Sequence, residues 1–257
     1  MKLCDAHAHI GHWPFHSLPF TDARSLLNEM NRLSIERSAV CHTHAVFYKN
    51  TQAANEELAK ETRKLRDRLS PVATLNPLYV QAEEDFRICV DSLGMAGLRL
   101  VPQYHGYGLD DARAVALAEA AGKAKMPVLV PRILVDPRQR HWMDVEATVP
   151  LEALVAFARK VPGTSVVGAE YILSADDATV KSLKSAPNLL FEISRISYLQ
   201  GGAIPGLIEK VGPDRLLFGT GVPFKVPEVT LLKMEMVAGR RARERIGSGT
   251  FSRIFPR

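Results

Sequence analysis

Two histidines in the opening run Cys4-Asp5-Ala6-His7-Ala8-His9 carry the first chemical signal of this chain. Alternate residues of an extended segment project to one side, which predicts Asp5, His7 and His9 on one face and Ala6 and Ala8 on the packed one. Two neutral imidazoles at this spacing can reach a single ion, and imidazole is the commonest protein ligand for zinc-like metals. H-x-H is a weak motif by itself, and two hydrogen-bonded histidines at a strand end would look the same. Here the pair ends a strand-like run and is followed at once by Gly11 and Pro14, which sharpens it. His42 and His44 form a second H-x-H further on.

The elements that must position these residues follow from the apolar pattern. Eight short runs, rich in branched or leucine side chains and bounded by Gly, Pro or Asn, read as strands buried on both faces. They lie near 3–9, 38–43, 69–76, 95–100, 128–133, 165–169, 189–193 and 216–219. Helical patterns alternate with them over 22–33, 52–68, 81–93, 110–124, 151–160, 176–184, 204–210 and 226–245. Leu26, Leu27, Met30 and Leu33 mark the first helix, and Asp110 is a candidate N-cap for the fourth. Eight such units predict an α/β chain folded as a single (β/α)8 TIM barrel over residues 1–257. A doubly wound open sheet is the runner-up, but no glycine fingerprint for a nucleotide follows any strand.

Composition agrees with a globular enzyme-sized chain. It has 257 residues, 46% hydrophobic and 24% charged, enough to bury a core without staples. Cys4, Cys41 and Cys89 lie far apart with no C-x-x-C, so they read as reduced thiols of a cytoplasmic protein. No long apolar run opens the chain, and neither a leader nor a membrane span is expected. The net charge of +5 is local: from Lys225 onward eight Lys and Arg face three Glu. Without aromatic interleaving this reads as a solvated face, with no nucleic-acid or membrane partner. The expected partner is a small-molecule substrate, with a homo-oligomer left open.

In a closed barrel the residues just after each strand share one mouth, where barrel enzymes build their sites. Asp5, His7, His9, His42, His44, Asn76, Arg99, Gln103, Tyr104, His105, Arg132, Glu170, Tyr171, Glu192, Arg195 and Thr220 would meet there. The first loop adds Trp13, Phe15 and Phe20, as pocket lining or as a cap.

On these residues the chain resembles the amidohydrolase superfamily, in the branch that includes aminocarboxymuconate-semialdehyde decarboxylase-like proteins. Asp5-Ala6-His7-Ala8-His9 resembles the opening D-x-H-x-H. Gly97-Leu98-Arg99-Leu100 resembles the fourth strand and Met126-Pro127-Val128-Leu129-Val130 the fifth. Pro213-Asp214-Arg215-Leu216-Leu217-Phe218-Gly219 resembles the run into the eighth. The resemblance implies a metal held by the H-x-H pair, a histidine ending strand five and an aspartate ending strand eight, often with a histidine after strand six. Such a metal brings the pKa of bound water toward neutrality, and a carboxylate takes the proton.

The sequence departs from that pattern. Pro131 stands where the strand-five histidine belongs, Glu170 where the strand-six histidine is usual, and Gly221 where the aspartate is expected. The implied site is therefore reduced: His7, His9 and Glu170 as ligands of one divalent metal, zinc first, with His42 and His44 as the other residues that could complete it and a metal-free site as the alternative. His44 and Glu170 are the candidate acid–base groups, and Arg99, Tyr104 and Arg132 the candidate substrate contacts. Arg99 suits a substrate carboxylate because its fork matches that group. Plainer roles are also open: an ion pair of Glu170 with Arg132 or Arg195, a Glu192–Arg195 pair, Asp5 as the acceptor that orients His7. Three functions follow: a metal-dependent hydrolase or non-oxidative decarboxylase of a small carboxylated substrate, a metal-free enzyme on the same scaffold, or a non-catalytic ligand-binding barrel.

Overall fold

The computed structural model describes residues 1–197 and 202–256. Eight strands pair in parallel in strict chain order: β1 (Leu3–Ile10), β2 (Ile35–His42), β3 (Leu69–Thr74), β4 (Gly97–Arg99), β5 (Val128–Pro131), β6 (Val166–Ala169), β7 (Leu189–Glu192) and β8 (Leu216–Leu217). Main-chain bonds close the sheet on itself. Ala6 N donates to Phe218 O at 2.9 Å, Gly221 N to His7 O at 2.8 Å and His9 N to Val222 O at 2.8 Å. The chain is a (β/α)8 barrel.

Helices α1 (Ala23–Arg32), α2 (Gln52–Thr62), α3 (Ala82–Asp91), α4 (Pro102–His105), α5 (Ala112–Lys123), α6 (Leu151–Lys160), α7 (Asp177–Lys184) and α8 (Ala203–Val211) join the strands. Asp22 and Asp176 cap α1 and α7, accepting from Ser25 N and Thr179 N. The cap of α5 is Asp111 rather than Asp110. The stretch expected as one helix over 226–245 is two, α9 (Glu228–Glu235) and α10 (Arg240–Glu244), followed by a π-helical turn and α11 (Thr250–Ile254). Among the described residues no helix is long and apolar enough to cross a membrane.

Two apolar layers explain why the strands read as continuous hydrophobic runs. Val40, Val130, Leu189 and Phe218 pack outward against the helices. Their neighbours Cys41, Leu129, Leu190 and Leu217 fill the lumen, where Phe251, Ile254 and Phe255 plug the lower end. Arg37 ties the plug down: Nη1 donates to Phe255 O at 3.0 Å, Nη2 to Ser70 Oγ at 2.9 Å, and the guanidinium lies over the Phe251 ring. The lumen is thus solid below, which leaves the opposite end, where the strands deliver their C-terminal residues, for a site.

The β1 pattern departs from simple alternation. A register shift between Asp5 and Ala8 puts an extra residue in β1. Ala6 consequently packs in the lumen with Cys4, while Ala8 packs outside with Ile10. The expectation that both alanines share one face is corrected by this bulge.

Candidate active site

His7 and His9 lie at the upper end of β1, almost fully buried, with ring centroids 4.6 Å apart in an edge-on arrangement. His7 Nδ1 is 3.7 Å from Glu170 Oε1 and 4.0 Å from Glu192 Oε1. His9 Nδ1 contacts Val222 O at 3.2 Å. Neither nitrogen of His7, nor Nε2 of His9, has a hydrogen-bond partner. Burial, helped by the positive charge of Lys225 and Arg99, pulls His7 down to about 3. Burial also takes His9 well below its ordinary value, so both rings are neutral and keep a lone pair.

Glu170 follows β6 with a left-handed backbone, φ +62°, uncommon for a residue with a side chain. Its N–H donates to Glu192 Oε1 at 2.6 Å, which holds that conformation. Glu192 also accepts from Ser194 N at 2.6 Å and Ser194 Oγ at 2.9 Å. Glu170 leans on two cations, Lys225 Nζ at 2.5 Å and Arg195 Nη1 at 3.5 Å. Burial is the larger influence and raises its carboxyl above the ordinary range despite Lys225. Lys233 Nζ donates to the carbonyls of Ile193 and Ser194 and fixes the loop after β7.

Asp5 does not orient the His7 ring. Its Oδ1 accepts from His7 N and Thr220 N, both at 2.9 Å, and its Oδ2 from Thr220 Oγ1 at 2.5 Å, a strap between β1 and the end of β8. Arg195 pairs with Asp136 at 3.2 Å and with Glu170, not with Glu192. Of the two arginines weighed as partners of Glu170, Arg195 is the one in place.

The vacancy left by Gly221 is filled. A Cβ at this residue, φ +72°, would stand 2.9 Å from Glu170 Oε1 and 2.9 Å from Lys225 Cδ. Where the resemblance expects an aspartate, this chain has put the glutamate of the β6 loop and the lysine beyond β8.

A cleft of about 1450 Å³ opens above this centre, walled by Phe15, His16, Arg195, Phe224, Lys225 and Lys233 among others. His7 and His9 lie one layer beneath it. The Phe224 ring meets His9 edge-on at 5.4 Å and Trp13 at 5.0 Å, and Lys225 covers Glu170. Trp13 joins Phe15, Phe47 and Tyr104 in an aromatic cap.

The remaining expected site residues are dispersed. Arg99 is fully buried, with Nε on Thr74 Oγ1 at 2.9 Å and Nη2 on His42 O. Tyr104 donates to Asp144 Oδ1 at 3.0 Å. Arg132 lies on the Tyr171 side, where its charge acts on that phenol. None of the three walls the cleft. His44 pairs with Glu57 at 3.3 Å, beside His42, and not with Glu170.

A divalent ion suits one part of this centre. Donor atoms of His7, Glu170 and Glu192 lie within 4.8 Å of one another. An imidazole with two carboxylates, plus unpartnered imidazole nitrogens, is a donor set that transition-metal dications accept. Glu192 thus lies within reach of the same point as His7 and Glu170, and the His9 ring flanks that of His7.

A family model described as Amidohydrolase (Amidohydro_2) matches residues 4–256. The chain belongs to the amidohydrolase family. Among solved structures, 5-carboxyvanillate decarboxylase from Sphingomonas paucimobilis superposes with a TM-score of 0.76 at 12% identity, over 99% of this chain and 98% of that one. Dihydroxybenzoic acid decarboxylase from Polaromonas sp., with bound manganese and the inhibitor 2-nitroresorcinol, gives 0.74 at 15%, over 99% and 96%. A probable 2-pyrone-4,6-dicarboxylic acid hydrolase from Acinetobacter baumannii, with citric acid bound, gives 0.70 at 15%, over 99% of each. These likenesses carry the fold. No curated protein matches in sequence.

Two residues in contact with Glu170 were not singled out by the sequence pattern of this amidohydrolase, Lys225 and Ser194. The available signal was Glu170 with Glu192: two carboxylates at neighbouring strand ends need a nearby cation, and Lys225 is the first lysine after β8.

Proposed function

We propose that this amidohydrolase hydrolyses or non-oxidatively decarboxylates a small carboxylated substrate that enters the cleft between the first loop and the segment after β8. The observation that carries the proposal is the meeting of His7 with two buried carboxylates directly beneath a cationic cleft wall. Arg195 and Lys225 line that wall, and their cationic ends can meet an incoming carboxylate. Burial raises the Glu170 carboxyl above its ordinary range, and its place beside His7 suits it to exchange a proton with a substrate. Neutral His7 and His9 offer acceptor nitrogens at the same point. Phe224 and the aromatic cap keep bulk water from the pair.

His7, Glu170 and Glu192, flanked by His9, would hold a divalent ion. When bound, it would polarise a substrate oxygen or lower the pKa of a water. Zinc and manganese both suit this mixed nitrogen and oxygen donor set. The test is elemental analysis of protein purified without added metal, with His7→Ala and Glu170→Gln alongside. About one equivalent should be lost in each variant. Equal metal content in all three proteins overturns the metal-dependent reading.

One observation favours a second reading, the metal-free enzyme. Lys225 Nζ already sits 2.5 Å from Glu170 Oε2, supplying positive charge within the donor cluster. On that reading turnover of small aromatic or cyclic carboxylates survives chelator and falls with Lys225→Met.

A further inference from the structure

We propose that His42, His44 and Glu57 form a second divalent-cation site, for a zinc-type transition metal, at the outer rim of the barrel mouth. His42 ends β2, His44 opens the 3-10 turn His44–Phe47, and Glu57 projects from α2 across them. His44 Nε2 is 3.3 Å and His42 Nε2 3.7 Å from Glu57 Oε2, and donor atoms of the three lie within 4.8 Å of one another. Ligands about 2.0–2.2 Å from a tetrahedral ion stand roughly 3.3–3.5 Å apart. The two carboxylate edges are therefore at or near coordinating separation, and the whole triangle closes with a small side-chain movement.

An independent observation points to a ligand. His42 is 1% exposed, yet neither of its ring nitrogens has a hydrogen-bond partner. Buried polar groups seldom remain unsatisfied, and each such case calls for an explanation. The ring is also held in place. Gly11 makes room for it, since a Cβ there would stand 2.5 Å from His42 Cε1. Arg99 Nη2 anchors the His42 carbonyl from behind.

The third ligand is open to solvent: the Glu57 side chain is 51% exposed and that of His44 21%. An ion can therefore enter from outside, and positions remain for water or an external ligand. Two imidazoles and one carboxylate favour zinc, cobalt, nickel or iron over magnesium and calcium, which prefer oxygen donors alone. This cluster shares no residue with the His7 centre, so it stands or falls separately from the reaction proposed above.

The probe is Co2+, titrated into full-length His7→Ala protein so that the inner centre is impaired. One ion per chain should bind, with visible absorption of a low-symmetry cobalt site. Adding Glu57→Gln should weaken binding at least tenfold, and adding His44→Ala should abolish it. Both positions are partly exposed, so the fold should survive. Mg2+ should neither bind nor compete. Unchanged cobalt affinity and stoichiometry after both changes overturns the proposal. Should His7→Ala fail to fold, anomalous diffraction from zinc-soaked wild-type crystals decides. A peak between His42 Nε2 and His44 Nε2 supports the site, and a soaked crystal without one refutes it.

Discussion

Replacing Lys225 by Met tests the charge balance of the inner centre. Glu170 is 2% exposed and its ammonium partner, a lysine side chain 19% exposed, lies 2.5 Å away. Removing one member of a buried pair costs about 3–5 kcal/mol, because the survivor keeps an uncompensated buried charge. Partial exposure of Lys225 and the remaining Arg195 at 3.5 Å reduce this, to about 2 kcal/mol. For a chain of this size that lowers the thermal midpoint by about 4–8 °C. Glu170→Gln should relieve the burden, so the double variant should recover about half of the loss. The assay is urea unfolding of wild type, both single variants and the double variant, combined as a cycle. A coupling energy of about 1–2 kcal/mol is expected. Strict additivity, with coupling below about 0.5 kcal/mol, would refute the claim that Lys225 neutralises Glu170. The same variant should bind a divalent ion more tightly, since the competing ammonium has gone.

Two further outcomes follow from the same coordinates. Gly221→Asp, which restores the residue expected by resemblance, should destabilise by about 2 kcal/mol or more, because its Cβ meets Glu170 and Lys225 in a left-handed backbone; an unchanged thermal midpoint would show that the space is free. His105 is pulled down from 6.5 to about 4, chiefly by burial, so its unfolded form takes up protons first as the solution is acidified. Its contribution is intact above pH 6.5 and is lost toward pH 4. Relative to His105→Gln, wild type should lose up to about 3 kcal/mol across that window, and parallel pH–stability curves would contradict this.

The barrel was legible because its strands are buried on both faces and so appear as unbroken apolar runs. Even β8, two residues long in the sheet, announced itself through Leu216, Leu217 and Phe218. His7 and His9 were legible for a different reason, residue type combined with place at a strand end. What surrounds them was not. Lys225 comes from a loop beyond β8, and its role depends on the side chain that Gly221 lacks. No periodicity encodes such a substitution in space. The pairing of Arg195 with Glu170 was within reach of the sequence, but that with Asp136, brought there by the barrel in place of the nearby Glu192, was not. Glu57 is an ordinary exposed helix residue by pattern, and only the fold sets it against His44. The bulge in β1 was hidden as well, since an extra residue in one strand leaves no mark on an all-buried segment.

The aromatic plug of α11 has a consequence for biogenesis. Phe251, Ile254 and Phe255 complete the inner layer begun by Cys4 and Ala6. During synthesis, every strand will have left the ribosome while the floor of the lumen is still missing. The nascent barrel must wait, with greasy interior positions uncovered, for residues 251–255 to arrive. Docking of that segment, rather than completion of the sheet, is then the step that closes the lumen.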